Sequence, residues 1–261
     1  MIKLVCFDVD GTLRERDFLP DSTKLAIDEL KAHGVLPVLC TGRSEYEIAT
    51  LREELGIDWA ITCNGSHIGF QGGTVFGKAF DRSMVLDWIA TAERKGHTLL
   101  FYGAEKMFIN RPDCRYFRQA QAEIGFLEPF PLPPRDEMPD LYQCIAFCSE
   151  EEEAYYTGPE RNSLYLHRWR PWALDINPEG MNKSVGIRKL LSHFGCSPDE
   201  AAAFGDGLND LEMISFVGTG IAMGNSSREL LESTPYVTRT LREDGILHGV
   251  RKFILNNTIN G

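Results

Sequence analysis

Nearly continuous apolar runs alternate with amphipathic stretches along the first part of the chain. The first apolar run, IKLVCFDV, precedes a glycine, and two further apolar runs follow at 35–40 and 59–64. Residues typical of helix starts and ends predict helices between these runs, at about 21–33 and 44–56. Continuous apolar runs are typical of strands buried on both faces, so this order predicts a parallel sheet with helices on its faces.

The pattern changes in the middle of the chain. Apolar runs there follow one another without long helices between them, which favours an α+β unit with an antiparallel sheet. The proline-rich stretch 129–139 is predicted to be an exposed loop. Strand–helix alternation returns towards the C-terminus. We therefore predict an α/β fold with a doubly wound core at 1–80 and 180–261, interrupted by a second domain at 81–179.

Composition and charge narrow the classes of partner. The chain has 261 residues, enough for one large or two modest domains, and a net charge of -11 without a basic tract. This excess of acidic residues argues against a nucleic-acid partner. The seven cysteines are scattered without a CxxC pair, so we interpret them as reduced core residues and not as a zinc site. With neither a signal peptide nor a bilayer-length apolar stretch predicted, we expect a cytoplasmic protein without a membrane partner.

Polar residues gather where the predicted parallel strands end, which is where open α/β sheets bind ligands. These residues, with a lysine that opens the helix before the strand AAAF, are Asp8, Asp10, Thr41, Gly42, Arg43, Lys183, Asp206, Asn209 and Asp210. Buried carboxylates cost free energy unless they are paired or bind a metal. Oxygen-rich clusters suit Mg²⁺, which leaves room for phosphate oxygens. An ionised carboxylate can also attack phosphorus directly.

Each of these residues also has an ordinary structural explanation. Asp10 before a glycine is typical of a turn, and so is Asp206. Thr41 alone resembles a helix cap, and Lys183 alone resembles an exposed helix lysine. Only their joint placement at strand ends favours a phosphate site.

The motifs DVDGT, VLCTGR, NKS and FGDGLNDLEM, in this order, resemble the signature motifs of the haloacid dehalogenase (HAD) superfamily. The stretches CNGS, GIAMGN and EDGI are similar to those of its Cof-type branch. The resemblance covers roughly residues 1–80 and 178–255. It implies a phosphatase with a Rossmann-like core and an inserted α/β cap domain of type IIB.

The resemblance also implies roles for the candidate residues. Asp8 would be the nucleophile and Asp10 the general acid and base. Mg²⁺ would be held by Asp8, the main-chain carbonyl of Asp10, and Asp206. Thr41, Gly42 and Lys183 would bind the phosphoryl group. Asn209 would orient the phosphate or the lysine, and Asp210 would support the metal site. Arg43 and Asn64 would approach the substrate.

The predicted function is a Mg²⁺-dependent phosphatase that hydrolyses small phosphomonoesters, such as sugar phosphates or related phosphorylated metabolites, through an aspartyl phosphate. A sugar phosphomutase and a phospho-accepting signalling module are the alternatives. We expect a monomer or a weak homo-oligomer. The stretch HRWRPW, 167–172, either grips a sugar or second anion or forms an amphipathic edge strand, and Asp175 is a candidate hinge contact.

Overall fold

The computed structural model describes residues 1–158 and 164–255. The strands are β1 (Leu4–Phe7), β2 (Leu36–Cys40), β3 (Trp59–Thr62), β4 (His67–Phe70), β5 (Gly73–Gly77), β6 (Thr98–Tyr102), β7 (Met107–Ile109), β8 (Phe130–Pro131), β9 (Gln143–Phe147), β10 (Tyr165–Arg170), β11 (Ala173–Asn177), β12 (Ala201–Gly205), β13 (Thr219–Ala222) and β14 (Tyr236–Val237). The α-helices are α1 (Asp21–Ala32), α2 (Glu45–Leu55), α3 (Arg82–Lys95), α4 (Arg115–Ile124), α5 (Ala154–Thr157), α6 (Lys183–Phe194), α7 (Leu211–Phe216), α8 (Arg228–Ser233) and α9 (Gly245–Gly249), the last followed by a π-helical turn, Val250–Leu255. Within these described ranges, no helix has both the length and the apolar character needed to cross a bilayer.

The chain divides into two compact units. The first contains residues 1–41, 50–61 and 183–261, and the second contains residues 42–49 and 62–182. The predicted domain division, with borders near residues 80 and 180, stays a prediction. Its ranges include residues 159–163 and 256–261, which lie outside the described part of the chain.

The first unit is built on a parallel sheet. Its strands lie in the order β14-β13-β12-β1-β2-β3, and each pair of neighbours is parallel. The chain moves outwards in one direction from β1 to β3 and in the other from β12 to β14. This is the doubly wound arrangement, so the predicted α/β fold is confirmed, and its switch point lies between β1 and β12.

The centre of this sheet is buried. Both β1 and β12 are buried along their whole length, and the rings of Phe7 and Phe204 stack with their centroids 5.2 Å apart. In register, Leu4 faces Ala201 on one side and Leu36 on the other. Side chains that follow β1 and β12 are therefore held at neighbouring points by a rigid framework.

The second unit contains a six-stranded sheet in the order β10-β11-β9-β6-β7-β8. Alternate residues of β6 supply two cores, because successive strand side chains point to opposite faces. Leu99 and Phe101 pack in one core with Trp88 of α3, and Leu100 and Tyr102 pack in the other with α4. This α+β unit agrees with the predicted inserted domain type.

The prediction that 129–139 is only a loop is wrong in detail. Phe130 and Pro131 form β8, which pairs with β7 in parallel at the edge of the sheet, and a 3₁₀ turn follows at Arg135–Glu137. Proline is tolerated in an edge strand because its missing N–H does not interrupt a ladder on both sides.

Candidate active site

Lys183 is a fully buried cation held between two carboxylates. Its Nζ lies 2.6 Å from Asp8 Oδ1 and 2.6 Å from Asp210 Oδ1. The residue is 1% exposed, so the interpretation of Lys183 as an exposed helix lysine is wrong. Burying an ammonium group is unfavourable unless it is paired. Burial alone would lower the pKa of Lys183, but the carboxylates of Asp210 and Asp8 outweigh it and raise that pKa well above its usual value.

Asp8 is placed by the sheet itself. It follows β1 directly, and its backbone N–H donates to the carbonyl of Phe204 over 3.0 Å, which prolongs the pairing between β1 and β12. Its side chain is nearly buried. Burial raises the pKa of Asp8 well above the usual aspartate value, opposed by Lys183 and reinforced by Asp210 and Asp206.

Asp210 organises the turn after β12. Its Oδ2 accepts hydrogen bonds from the N–H groups of Asp206 and Gly207, each over 2.9 Å, while its Oδ1 accepts from Lys183. Both of its oxygens are therefore engaged by the protein. This arrangement fixes the turn and the lysine together.

Three carboxylates approach one another at this point. One oxygen from each of Asp8, Asp206 and Asp210 lies within 4.8 Å of the others. Burial, followed by the charge of Asp210, raises the pKa of Asp206 to about 7. The hydroxyl of Thr12 donates to Asp206 Oδ1 over 2.8 Å. One lysine does not balance three acids, and oxygen-only donors of this kind fit a hard divalent cation such as Mg²⁺.

The turn after Asp8 needs its glycine. Gly11 has φ +87°, and a Cβ at this position would collide with the carboxylate of Asp206. The side chain of Asn225 donates to the carbonyl of Gly11 over 2.9 Å and holds the turn in place. Asp10, beside it, is exposed.

The other candidates are divided between the two units. Thr41 is buried at the end of β2, and its N–H donates to the carbonyl of Ile61 over 2.9 Å. Asn209 is half-buried in the turn between Gly207 and Asp210. Gly42 belongs with the second unit, although it follows Thr41 directly in the chain.

Arg43 also belongs with the second unit. Its guanidinium group is buried and donates to Glu47 Oε1 over 3.2 Å and to the carbonyl of Ile124, the last residue of α4, over 2.5 Å. These bonds hold α4 against the 42–49 segment. An approach of Arg43 to substrate stays a prediction.

Sequence reasoning missed several residues that complete these arrangements. Thr12 and Asn225 stand inside the motifs DVDGT and GIAMGN, so the signal was present without an assigned role. Gln143 and Asn177, buried in the second unit, lie in no recognised motif.

The first four residues of the HRWRPW stretch, 167–170, lie in β10, an edge strand of the second sheet. Trp169 Nε1 donates to Asp175 Oδ1 over 2.8 Å. Arg168 pairs with Glu153 and Arg170 pairs with Glu123. These contacts support the interpretation of HRWRPW as an amphipathic edge strand. Asp175 is held by Trp169, and a hinge role for it stays a prediction.

The doubly wound sheet is followed at its strand ends by clustered carboxylates and a paired buried lysine, groups that suit a metal ion and an anion. Comparison with known proteins identifies the family in which such a site occurs. The family model for haloacid dehalogenase-like hydrolases matches residues 5–250. The Bacillus subtilis (strain 168) protein named "Putative phosphatase YkrA" is 33% identical over 256 residues, which cover 96% of this chain and 97% of that protein.

Two solved structures extend the comparison. A hypothetical protein from Geobacillus kaustophilus HTA426 is 35% identical with a TM-score of 0.87, and the match covers 98% of this chain and 100% of that one. The HAD subclass IIB sugar phosphatase BT4131 is 28% identical with a TM-score of 0.83, over 96% of this chain and 98% of that one.

The chain belongs to the haloacid dehalogenase-like hydrolase family. The predicted resemblance to its Cof-type branch with a cap domain is confirmed. The named relatives are phosphatases, in agreement with the predicted phosphoric monoester hydrolase.

Proposed function

We propose that the protein hydrolyses small phosphomonoesters in two steps, through an aspartyl phosphate on Asp8. The observation that carries the proposal is the bridge from Lys183 to Asp8 and Asp210 beside Asp206. Burial raises the pKa of Asp8, and Lys183 acts against this by favouring the ionised form, which is the form that attacks phosphorus.

In the first step, a lone pair of the Asp8 carboxylate forms a bond to phosphorus while the bond between phosphorus and the ester oxygen breaks. Asp10 gives its proton to the departing alkoxide, which leaves as an alcohol. Thr41, Gly42 and Lys183 hold the phosphoryl oxygens in the proposed arrangement. The exposed position of Asp10 suits a group that must meet the leaving group.

In the second step, Asp10 takes a proton from a water molecule, whose oxygen attacks the phosphorus of the aspartyl phosphate. The bond between phosphorus and Asp8 breaks, which restores the Asp8 carboxylate and releases inorganic phosphate. No proton is gained or lost by the protein over the whole cycle. Lys183 remains close enough to compensate charge in both steps.

We propose Mg²⁺ as the cofactor, bound by Asp8, Asp206 and the main-chain carbonyl of Asp10. When bound, the ion would neutralise charge on the phosphoryl oxygens, so that an anionic nucleophile can approach an anionic ester. Asp210 would support this site without binding the ion, because both its oxygens already accept hydrogen bonds from the protein.

Sugar phosphates are the proposed substrate class. The support is the similarity to a sugar phosphatase of subclass IIB over almost the whole chain. The proposed substrate is a small phosphorylated molecule. We also propose that the protein is a monomer or a weak homo-oligomer.

Phosphate release from a panel of phosphomonoesters tests the proposal. The panel is assayed with Mg²⁺ and with excess chelator, and Asp8→Asn is the inactive control. Release that requires the metal and disappears in the variant supports the proposal. A phosphomutase would instead return an isomeric sugar phosphate, and a signalling module would keep the phosphate on Asp8.

A further inference from the structure

A buried network of amide side chains in the second unit ends on the backbone of Gly42. Its members are Asn64, Gln143 and Asn177, which are 0%, 1% and 0% exposed. Buried amides are costly unless their donors and acceptors are satisfied. The hydrogen bonds of this network therefore define where each amide group points.

The orientation of the Gln143 amide follows from its neighbours. Its Oε1 accepts from Asn64 Nδ2 over 3.1 Å and from Asn177 Nδ2 over 3.0 Å. Because two donors converge on one end, that end must be the oxygen. The Nε2 group is thereby directed at the carbonyl of Gly42, to which it donates over 3.0 Å.

The same network fixes unusual backbone at residues 63 and 64. Cys63 and Asn64 both have positive φ, +51° and +50°, and cysteine seldom adopts this conformation. Asn177 Nδ2 donates to the carbonyl of Cys63 over 2.8 Å, and Asn64 Nδ2 donates to Asp175 Oδ2 over 3.2 Å. Backbone of this kind persists only where its surroundings determine it, and it is concentrated at functional sites.

Gly42 is also crowded from one side. A Cβ at this position would lie 3.0 Å from Asn64 Oδ1, so the network leaves little room for a side chain at residue 42. Glycine leaves its backbone unusually free to rotate. The bond from Gln143 removes that freedom, because it fixes the peptide plane between Gly42 and Arg43.

We propose that Gln143 is a positioning residue for the phosphoryl-binding turn Thr41–Gly42. It holds the carbonyl of Gly42 in one direction, and the N–H of Arg43, on the same peptide, in the opposite direction. Rotation of this peptide would turn a carbonyl oxygen towards a bound anion and weaken its binding. The inference rests on the proposed function, because that function supplies the phosphoryl group at this turn.

A pair of amide-to-acid variants tests the inference. Gln143→Glu keeps an oxygen for Asn64 and Asn177 but replaces the donor to Gly42 by an oxygen. Asn110→Asp is the matched control, since its Nδ2 donates to the carbonyl of His97 over 3.2 Å and its Oδ1 accepts from Leu99 in the same unit. Each variant loses one donor to a backbone carbonyl, but only one of them affects Gly42.

The inhibition constant of inorganic phosphate, kcat and KM are measured for each protein, together with hydrogen exchange at the amides of 42–44. We expect Gln143→Glu to raise the inhibition constant and KM about five- to tenfold, the value of one neutral hydrogen bond. Exchange at 42–44 should accelerate in the same variant. Asn110→Asp should change neither the inhibition constant and KM nor the exchange at 42–44 by more than about twofold, whatever its melting temperature.

Unchanged phosphate inhibition and exchange in Gln143→Glu, or equal changes in both variants, would overturn the inference. If Gln143→Glu does not fold, Gln143→Met replaces it. The wild-type protein gives a further test, since titration with inorganic phosphate should shift the NMR signals of the Gln143 side-chain amide. Absence of that shift at saturating phosphate counts against Gln143 alone, whereas absence of turnover on every ester counts against the proposed function.

Discussion

Replacement of Lys183 by methionine is the most informative perturbation of the buried charges. Methionine keeps the length of the side chain but removes the ammonium group, which lies 2.6 Å from both Asp8 and Asp210. The side chains of Lys183 and Asp210 are both 0% exposed. Removing one partner of a buried ion pair leaves an uncompensated charge and costs roughly 3–5 kcal/mol.

Urea unfolding of the metal-free protein measures this cost. The matched control is Lys3→Met, because Lys3 pairs with Glu200 over 2.7 Å but its side chain is 57% exposed. An exposed pair contributes little to stability, so Lys3→Met should leave the unfolding midpoint almost unchanged. The substitution and the ion-pair distances are closely matched in the two variants, which differ in burial and in the number of paired carboxylates.

The pH dependence of the stability of Lys183→Met tests whether the loss comes from uncompensated carboxylate charge. Without the ammonium group, which lowers the pKa of Asp8, that pKa should rise further, and stability should be recovered at low pH, where Asp8 is protonated. Lys183→Met with Asp210→Asn should also regain part of the loss. If Lys183→Met destabilises no more than Lys3→Met, the reasoning from buried charge is refuted.

Three further predictions concern the same site. In the presence of chelator, stability should fall as pH rises from about 4 to 7, because the pKa of Asp206 is raised to about 7 in the folded protein, and thermal melts of Asp206→Asn should lack this contribution. Asp10→Asn should slow hydrolysis of an alkyl phosphate far more than that of an activated aryl phosphate, and equal losses in a steady-state assay would assign Asp10 a structural role. Gly11→Ala should abolish Mg²⁺-dependent turnover, since its Cβ would displace the carboxylate of Asp206, and a wild-type rate would contradict the close approach at this turn.

Much of the first unit could be predicted from the sequence because its signals are local. Buried parallel strands have continuous apolar runs, and their order determines where Asp8, Asp206 and Thr41 occur along the sheet. The motif resemblance then added roles to these positions. The predicted strand β12 differs by a single residue from the observed Ala201–Gly205.

The remainder depends on contacts between residues far apart in the chain. Nothing near Gln143 in sequence indicates that it donates to Gly42, 101 residues away. The burial of Lys183 likewise follows from two acids supplied by other elements, since an isolated lysine on a helix is normally exposed. The short strand β8 was missed because prolines hide an edge strand whose pairing is decided by its neighbour.

The most direct test of the account is to look for phosphate on Asp8 itself. The protein is mixed with a hydrolysable phosphomonoester and Mg²⁺, quenched in acid during turnover, and mapped by mass spectrometry. We predict a phosphorylated peptide that contains Asp8, formed and lost at rates fast enough for turnover, and absent from Asp8→Asn. Steady phosphate release with no phosphate on Asp8 at any time would contradict the account.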